Sequence, residues 1–224
     1  MRCCTQLKKR IMNEPKIELL NIDCLPFMRE CADKQFDWAI VDPPYGNNDA
    51  IGLKDNASGK KQATKRTNYK VFDNIAPNEE YFSELKRISK NQIVWGANFF
   101  GLTGGYLCWN KNGTAFGQAE LAYVSSINSV KVYEYTWNGM LQGNMKDKEI
   151  RIHPTQKPVQ LYKYLLTEFV KEGETILDTH LGSGSIAVAC WDMKFDLVGL
   201  EIDEHFFLKA NKRLDLHKKQ LTLF

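Results

Sequence analysis

The chain has 224 residues, 43% hydrophobic and 25% charged, with a formal net charge of +3. That length and balance describe a globular chain able to bury a substantial core, and exclude a collagen-like, disordered or strongly acidic one. Its six cysteines (Cys3, Cys4, Cys24, Cys31, Cys108, Cys190) form no CxxC pair and keep no zinc-type spacing with histidine, so they read as reduced thiols of a cytoplasmic protein. No apolar run approaches the ~20 residues of a membrane span, and no apolar signal core follows the basic N-terminal stretch Met1 to Arg10.

Ile17 to Ile22 reads as a first strand ending at Asp23-Cys24, and Leu25 to Cys31 as a short helix. Phe36 to Val41 is the kind of apolar run that forms a buried strand, and Asp42-Pro43-Pro44-Tyr45 stops it. Two consecutive prolines forbid helix and ladder pairing alike, so the backbone must turn away. An acid, carbonyls without N–H groups and an aromatic ring then stand at a strand's C-terminal end, where open α/β sheets bind ligands. This set suits a planar, amino-bearing ring: Asp42 and the Pro43 carbonyl accept from an exocyclic NH2 while Tyr45 stacks on the ring. A plain Pro-Pro turn closing a strand is the alternative.

Gly46 to Tyr69 is rich in Gly, Asn, Ser and Lys and too long for an ordinary connection. It carries Lys54, Lys60, Lys61, Lys65 and Arg66 against two acids, Asp49 and Asp55, and reads as either a solvated excursion or a functional loop. Pro77-Asn78-Glu79-Glu80 opens a helix with Phe82, Leu85 and Ile88 at helical spacing. Strands follow at Asn91 to Gly96, Gly105 to Trp109, Leu121 to Val124 and Val130 to Trp137, then a short polar connection from Asn138 to Ile152. His153-Pro154-Thr155-Gln156-Lys157-Pro158 introduces an amphipathic helix bearing Leu161, Leu165 and Phe169, with Gly173 expected as its C-cap. Thr175 to Asp178 is a strand, Leu181 to Ser185 a glycine turn, Ile186 to Trp191 a helix and Phe195 to Ile202 the last strand. Asp203 caps a final helix carrying Phe206, Ala210 and Leu214. Alternating strands and helices without repeat or linker predict one α/β domain over residues 1–224, with a largely parallel sheet.

Asp178-Thr179-His180-Leu181-Gly182-Ser183-Gly184 forms a second constellation, a strand–turn–helix whose small residues let a ligand lie against the backbone. Glu201 ends the next strand, at the spacing where an acid takes ribose hydroxyls. Gly182-x-Gly184-x-x-Ala187 also fits the dinucleotide fingerprint, so a nicotinamide oxidoreductase enters as a remote alternative. Asp178 speaks against it: a carboxylate there repels a pyrophosphate and welcomes a cofactor bearing an ammonium or sulfonium.

Three segments together resemble the β-group of amino-methyltransferases that use S-adenosylmethionine, chiefly bacterial and phage DNA adenine-N6 methyltransferases. They are Asp42-Pro43-Pro44-Tyr45, His153 to Pro158, and Asp178 to Gly184, in the permuted order that marks the group, within a likeness spanning Ile17 to Leu214. The resemblance implies a single-domain Rossmann-type methyltransferase sheet, mostly parallel with an antiparallel edge. It implies a site-specific enzyme of restriction-modification or phage type that flips adenine out of double-stranded DNA and methylates N6, as a monomer or homodimer, with neither metal nor membrane. Asp42, Pro43, Pro44 and Tyr45 are then catalytic. Asp178, Gly182, Ser183 and Gly184 hold the methionyl end of the cofactor, Glu201 its ribose, Asp23 its adenine and Lys157 its carboxylate. Lys60, Lys61, Lys65 and Arg66 are expected to contact DNA phosphates.

Two features depart from the family. Thr179 and His180 stand where it usually has Pro and Phe, and His180 reads as a packing substitute for an aromatic ring. Only residues 138–152 remain for target recognition, so a short or degenerate site is expected. Cytosine-N4 or RNA-adenine methylation is the nearer alternative; the acid at Asp42 favours adenine, because cytosine-N4 relatives usually carry Ser there.

Overall fold

The structure, a computed structural model, describes residues 14–46, 75–113, 117–138 and 141–221. In chain order its elements are β1 (Ile17–Leu20), α1 (Cys24–Glu30), β2 (Phe36–Val41), α2 (Glu79–Ile88), β3 (Ser89–Trp95), α3 (Ala97–Phe100), β4 (Gly105–Asn110), β5 (Ala119–Val124), β6 (Val130–Glu134), β7 (Trp137–Asn138), β8 (Leu141–Gln142), α4 (Val159–Phe169), β9 (Thr175–Asp178), α5 (Ser185–Met193), β10 (Asp196–Leu200) and α6 (Glu204–Leu221). The fold is the expected mostly parallel α/β sheet, ordered β1-β10-β9-β2-β3-β5-β4-β6, with β7 and β8 as a separate hairpin.

β1, β10, β9, β2 and β3 all run parallel. The reversed strand is β5, which pairs antiparallel with both β3 and β4. Expectation had put the antiparallel part at the edge. Instead β4 and the outermost β6, parallel to each other, continue beyond β5. The short β4–β5 connection explains this: so few residues join only antiparallel neighbours, and β5 folds back into the place beside β3.

Alternation along β2 serves two cores. Trp38 and Ile40 join Leu161, Leu165, Ile186 and Leu214 beneath α4, α5 and α6. Ala39 and Val41 join Met28, Leu85 and Ile88 beneath α1 and α2. Because both faces are covered, β2 reads as a continuous apolar run. Asn78 caps α2 by accepting from the Tyr81 amide at 3.0 Å, and Glu79, Glu80, Lys86 and Arg87 complement its dipole. Arg87 then donates to the Met28 and Cys31 carbonyls, each at 2.7 Å, fixing the turn that feeds β2.

Three details differ from the sequence reading. The strand expected to reach Trp137 stops at Glu134, and Trp137 turns inward, its indole N–H donating to the Gln156 carbonyl at 2.8 Å. The expected polar connection contains the β7–β8 hairpin, tied down where Gln142 and Glu149 exchange two hydrogen bonds of 2.8 and 2.9 Å. Val170, not Gly173, is the C-cap of α4; Gly173 sits beyond it in a turn at φ 88°.

Crossovers diverge between β9 and β2. From β9 the chain passes through α5 to β10 on one side, and from β2 through α2 to β3 on the other. Their paired C-terminal ends form the switch point at which doubly wound sheets bind ligands. Leu165, fully buried under α4, supports this centre. Leu165→Ala should lower stability by about 3 kcal/mol, read as a shifted urea midpoint at unchanged slope; a loss below about 1 kcal/mol would show that α4 packs loosely there.

Candidate active site

Asp42 leaves the end of β2 with both carboxylate oxygens engaged. Oδ1 accepts from the Tyr45 hydroxyl at 2.7 Å, and Oδ2 accepts from the Lys157 ammonium. The Tyr45 ring stacks on Phe99 with centroids 5.0 Å apart and 18° between planes, and meets Phe100 edge-on at 6.0 Å. These phenylalanines come from α3, which the sequence reading missed because four residues between two glycines show no periodicity. Gly96 is what allows the arrangement. It sits at φ 74°, and a Cβ there would enter the Tyr45 ring.

Lys157 is buried at the centre of a charged cluster. Besides Asp42 it meets Glu120 Oε2 at 3.2 Å, and it donates to the Tyr45 hydroxyl at 3.3 Å. Glu120, from β5, also accepts from Lys111 just past β4. Burial opposes ionisation of Glu120, yet the Lys157 and Lys111 ammonium groups outweigh it and draw its carboxyl down to about 2. Tyr162 of α4 faces the same acids, its hydroxyl pushed far up first by burial and then by Asp42, Asp178 and Glu120. Sequence reasoning singled out none of Glu120, Lys111 or Tyr162; they meet only through strand pairing.

The glycine turn forms the neighbouring half. Asp178 is 2% exposed and accepts from the His180 amide at 3.0 Å. Burial lifts its carboxyl from 3.8 to about 8, with the Asp42 and Glu201 charges adding to the effect against that hydrogen bond and the more distant Lys157 charge. The Gly182 amide donates to Glu201 Oε2 at 2.8 Å and the Asp203 amide to Oε1 at 2.9 Å. Gly184, at φ 69°, starts α5 so close to α6 that a Cβ would lie 3.0 Å from that of Ala210. Ser185 donates to the Lys157 carbonyl at 2.7 Å, and Arg213 donates to the Ser183 carbonyl, Ser185 and Glu149. Glu149 in turn accepts from the Val159 amide at 2.8 Å, capping α4 where Pro158 offers no side-chain bond. Asp23 caps α1 through the Leu25 amide. His180 packs edge-on against Tyr81 at 5.5 Å, its imidazolium disfavoured by burial, with a pKa of about 4.

The expected site residues therefore fall into two adjoining groups, Asp42, Pro43, Pro44, Tyr45 and Lys157 around β2, and Asp178 to Gly184 with Glu201 around β9. Lys157, expected at the cofactor's carboxylate, directs its ammonium to the Asp42 side. Lys60, Lys61, Lys65 and Arg66 lie outside the described residues.

A family model described as DNA methylase, of N6 and N4 type, matches residues 62–212. The chain belongs to this DNA methylase family. The type II methyltransferase M2.DpnII of Streptococcus pneumoniae is 20% identical over 254 aligned positions, covering 93% of each chain. Among solved structures, the M1.HpyAVI–SAM complex superposes with a TM-score of 0.54 at 17% identity, covering 88% of this chain and 100% of its own. The cytosine-N4-specific PvuII DNA methyltransferase superposes at 0.56 with 10% identity, covering 94% and 96%. Among the described residues no group of three or more His, Cys, Asp or Glu is placed to hold a metal ion, and no helix is long and apolar enough to cross a membrane.

Gly96 offers a direct test of the aromatic arrangement. Gly96→Ala should displace the Tyr45 ring, which near-ultraviolet difference spectra between wild-type and Tyr45→Phe backgrounds can follow, and should lower thermal stability. An unshifted melting temperature would mean that the ring is not seated on the glycine.

Proposed function

We propose that the protein transfers the methyl group of S-adenosylmethionine to N6 of adenine in DNA, with the base flipped out of the helix. The observation that carries this reading is the meeting, at one switch point, of an acid able to hold an exocyclic amine and a buried acid that lacks a cation. Asp178 supplies the fit to the cofactor: a carboxyl held at about 8 by burial is stabilised as carboxylate once an ammonium or sulfonium sits beside it. Gly182, Ser183 and Gly184 would offer backbone to the cofactor's methionyl end, Glu201 would take its ribose hydroxyls, and Asp23 would contact its adenine. When bound, the cofactor supplies a methyl group already activated for nucleophilic attack.

The protein's share is placement and charge. An aryl amine is a weak nucleophile because its lone pair is delocalised into the ring. Hydrogen bonds from N6 to Asp42 and to the Pro43 carbonyl localise that pair, and Tyr45 with Phe99 gives the base an aromatic wall in place of its lost stacking. Nothing in this step calls for a covalent intermediate. The cytosine-N4 reading stays in view because the PvuII enzyme, cytosine-N4-specific, superposes over nearly the whole chain. The acid at Asp42 favours adenine.

Expression in a methylation-free host followed by nucleoside mass spectrometry separates the two: N6-methyladenine is expected, and N4-methylcytosine alone would reverse the assignment. Asp42→Ala should lower transfer by about a hundredfold or more while cofactor affinity stays within a few-fold. Equal loss of both would move Asp42 to the cofactor half. Tyr45→Phe should retain transfer within about tenfold and Tyr45→Ala should not, since stacking needs the ring.

Cofactor binding should also carry a pH signature. The folded pKa of Asp178 is raised, so the group is protonated below about 8 and must lose its proton to face a cation. Binding at pH 7 should release a proton, measurable by calorimetry in buffers of different ionisation enthalpy, and should tighten as pH rises toward 8. Asp178→Asn should abolish the release. Proton release unchanged in that variant would place the titrating group elsewhere.

A further inference from the structure

We infer that Glu120 is a positioning residue for the transfer reaction, the carboxylate that receives the Lys157 ammonium when Asp42 turns to the target amine. The inference rests on the assignment of Asp42 to that amine. In the structure Asp42 is already committed, Oδ1 to the Tyr45 hydroxyl and Oδ2 to Lys157. An ammonium outcompetes a neutral aryl amine for a carboxylate, because a hydrogen bond between two charged partners is roughly twice as strong as one between neutral groups. With Lys157 in place, the amine meets a carboxylate whose charge is largely answered. Yet Lys157 cannot simply withdraw. Its side chain is only 4% exposed, and an unpaired ammonium at that depth is strongly unfavourable.

Glu120 resolves the conflict. Its Oε2 lies 3.2 Å from Lys157 Nζ as an ion pair, and among the described residues it is a buried side-chain oxygen that accepts no well-formed hydrogen bond. Lys111 holds Oε1 from the opposite side and keeps the carboxylate facing Lys157. A small swing of the Lys157 side chain that carries Nζ away from Asp42 and toward Glu120 therefore exchanges the bond to Asp42 for one to Glu120. Trp95 and Tyr45 face the ammonium with their rings at 5.2 and 5.8 Å, so the path is lined by surfaces that favour a cation. No bond breaks and no proton moves. Asp42, Glu120, Lys157 and Lys111 stay balanced in charge throughout, and Tyr45, Tyr162, Asp178 and His153, the other titratable groups facing the cluster, keep their states.

Glu120→Gln then leaves Lys157 fixed on Asp42. Transfer of labelled methyl groups to DNA from a methylation-free host should fall at least tenfold in kcat, with the dissociation constant for S-adenosylmethionine unchanged. Adding Lys157→Met to Glu120→Gln should restore part of the rate, whereas a merely structural Glu120 predicts further loss. Glu120→Asp, which keeps the charge, should fall between wild type and Glu120→Gln. A measurement on the unaltered protein stands beside these: its crystal structure with S-adenosylhomocysteine and adenosine should show Lys157 bonded to Glu120 and away from Asp42. Wild-type kcat in Glu120→Gln, or Lys157 still on Asp42 with adenosine N6 in place, overturns the inference. A wild-type protein that methylates no base, or one whose Asp42→Ala variant methylates equally well, overturns instead the assignment on which it rests.

Discussion

Two parallel strands that end side by side bring two acids to the same buried corner, and the surroundings of the switch point answer that crowding. Asp42 follows β2 and Asp178 closes β9, and the Asp42 charge raises the cost of ionising Asp178. Like charges that close in a low-dielectric site require either a cation or a proton. The protein supplies a cation on one side only. Lys157 serves Asp42 and Glu120, while Asp178 has a single backbone amide and holds a proton up to about pH 8. The asymmetry leaves one acid clamped by an ammonium and the other held by a backbone amide.

The clamp requires precise placement of residues 153–158, and a chain of interactions remote in sequence provides it. Arg213 reaches from α6 to the glycine turn and to Glu149, Glu149 caps α4, and Ser185 grips the Lys157 carbonyl. Gln156 adds a bond from its side chain to the Ile152 amide at 2.9 Å. Within the segment read from sequence as the space left for target recognition, Gln142, Glu149 and Ile152 thus brace the lysine.

What could be read in the sequence was whatever constrains the backbone by itself. Two prolines after an apolar run stop a strand wherever they occur, and glycines at 182 and 184 adopt the left-handed conformations that few other residues tolerate. Apolar alternation located β2, β3, β9 and β10 to within two or three residues, and with them the sheet's parallel half. What escaped depends on pairing across long separations. Glu120 is an ordinary polar residue of a strand until β5 folds back beside β3 and carries it to Lys157. Lys111, Glu149 and Arg213 look like surface charges in the sequence and are partners of buried groups in the fold. Gly173 misled because a helix can end on an extended Val170 with its amide still bonded, leaving the glycine to the turn beyond.

The surroundings of Lys157 decide what its ammonium can reach. A carboxylate-binding lysine is best left with free donors pointing to solvent or to ligand. Lys157 has three donors, and Asp42, Tyr45 and Glu120 surround them at hydrogen-bond or ion-pair distance within a nearly closed pocket. Its ammonium is held charged against the pull of burial by two acids, which raise it above its ordinary value. A group so placed is the buried ion-pair partner of Asp42 and Glu120 rather than a free donor. The segment that carries it is bonded through Ser185 to the start of α5, directly after the glycine turn. The glycine turn and Asp42 are therefore linked through Lys157 by two hydrogen bonds, one accepted by its carbonyl and one donated by its ammonium.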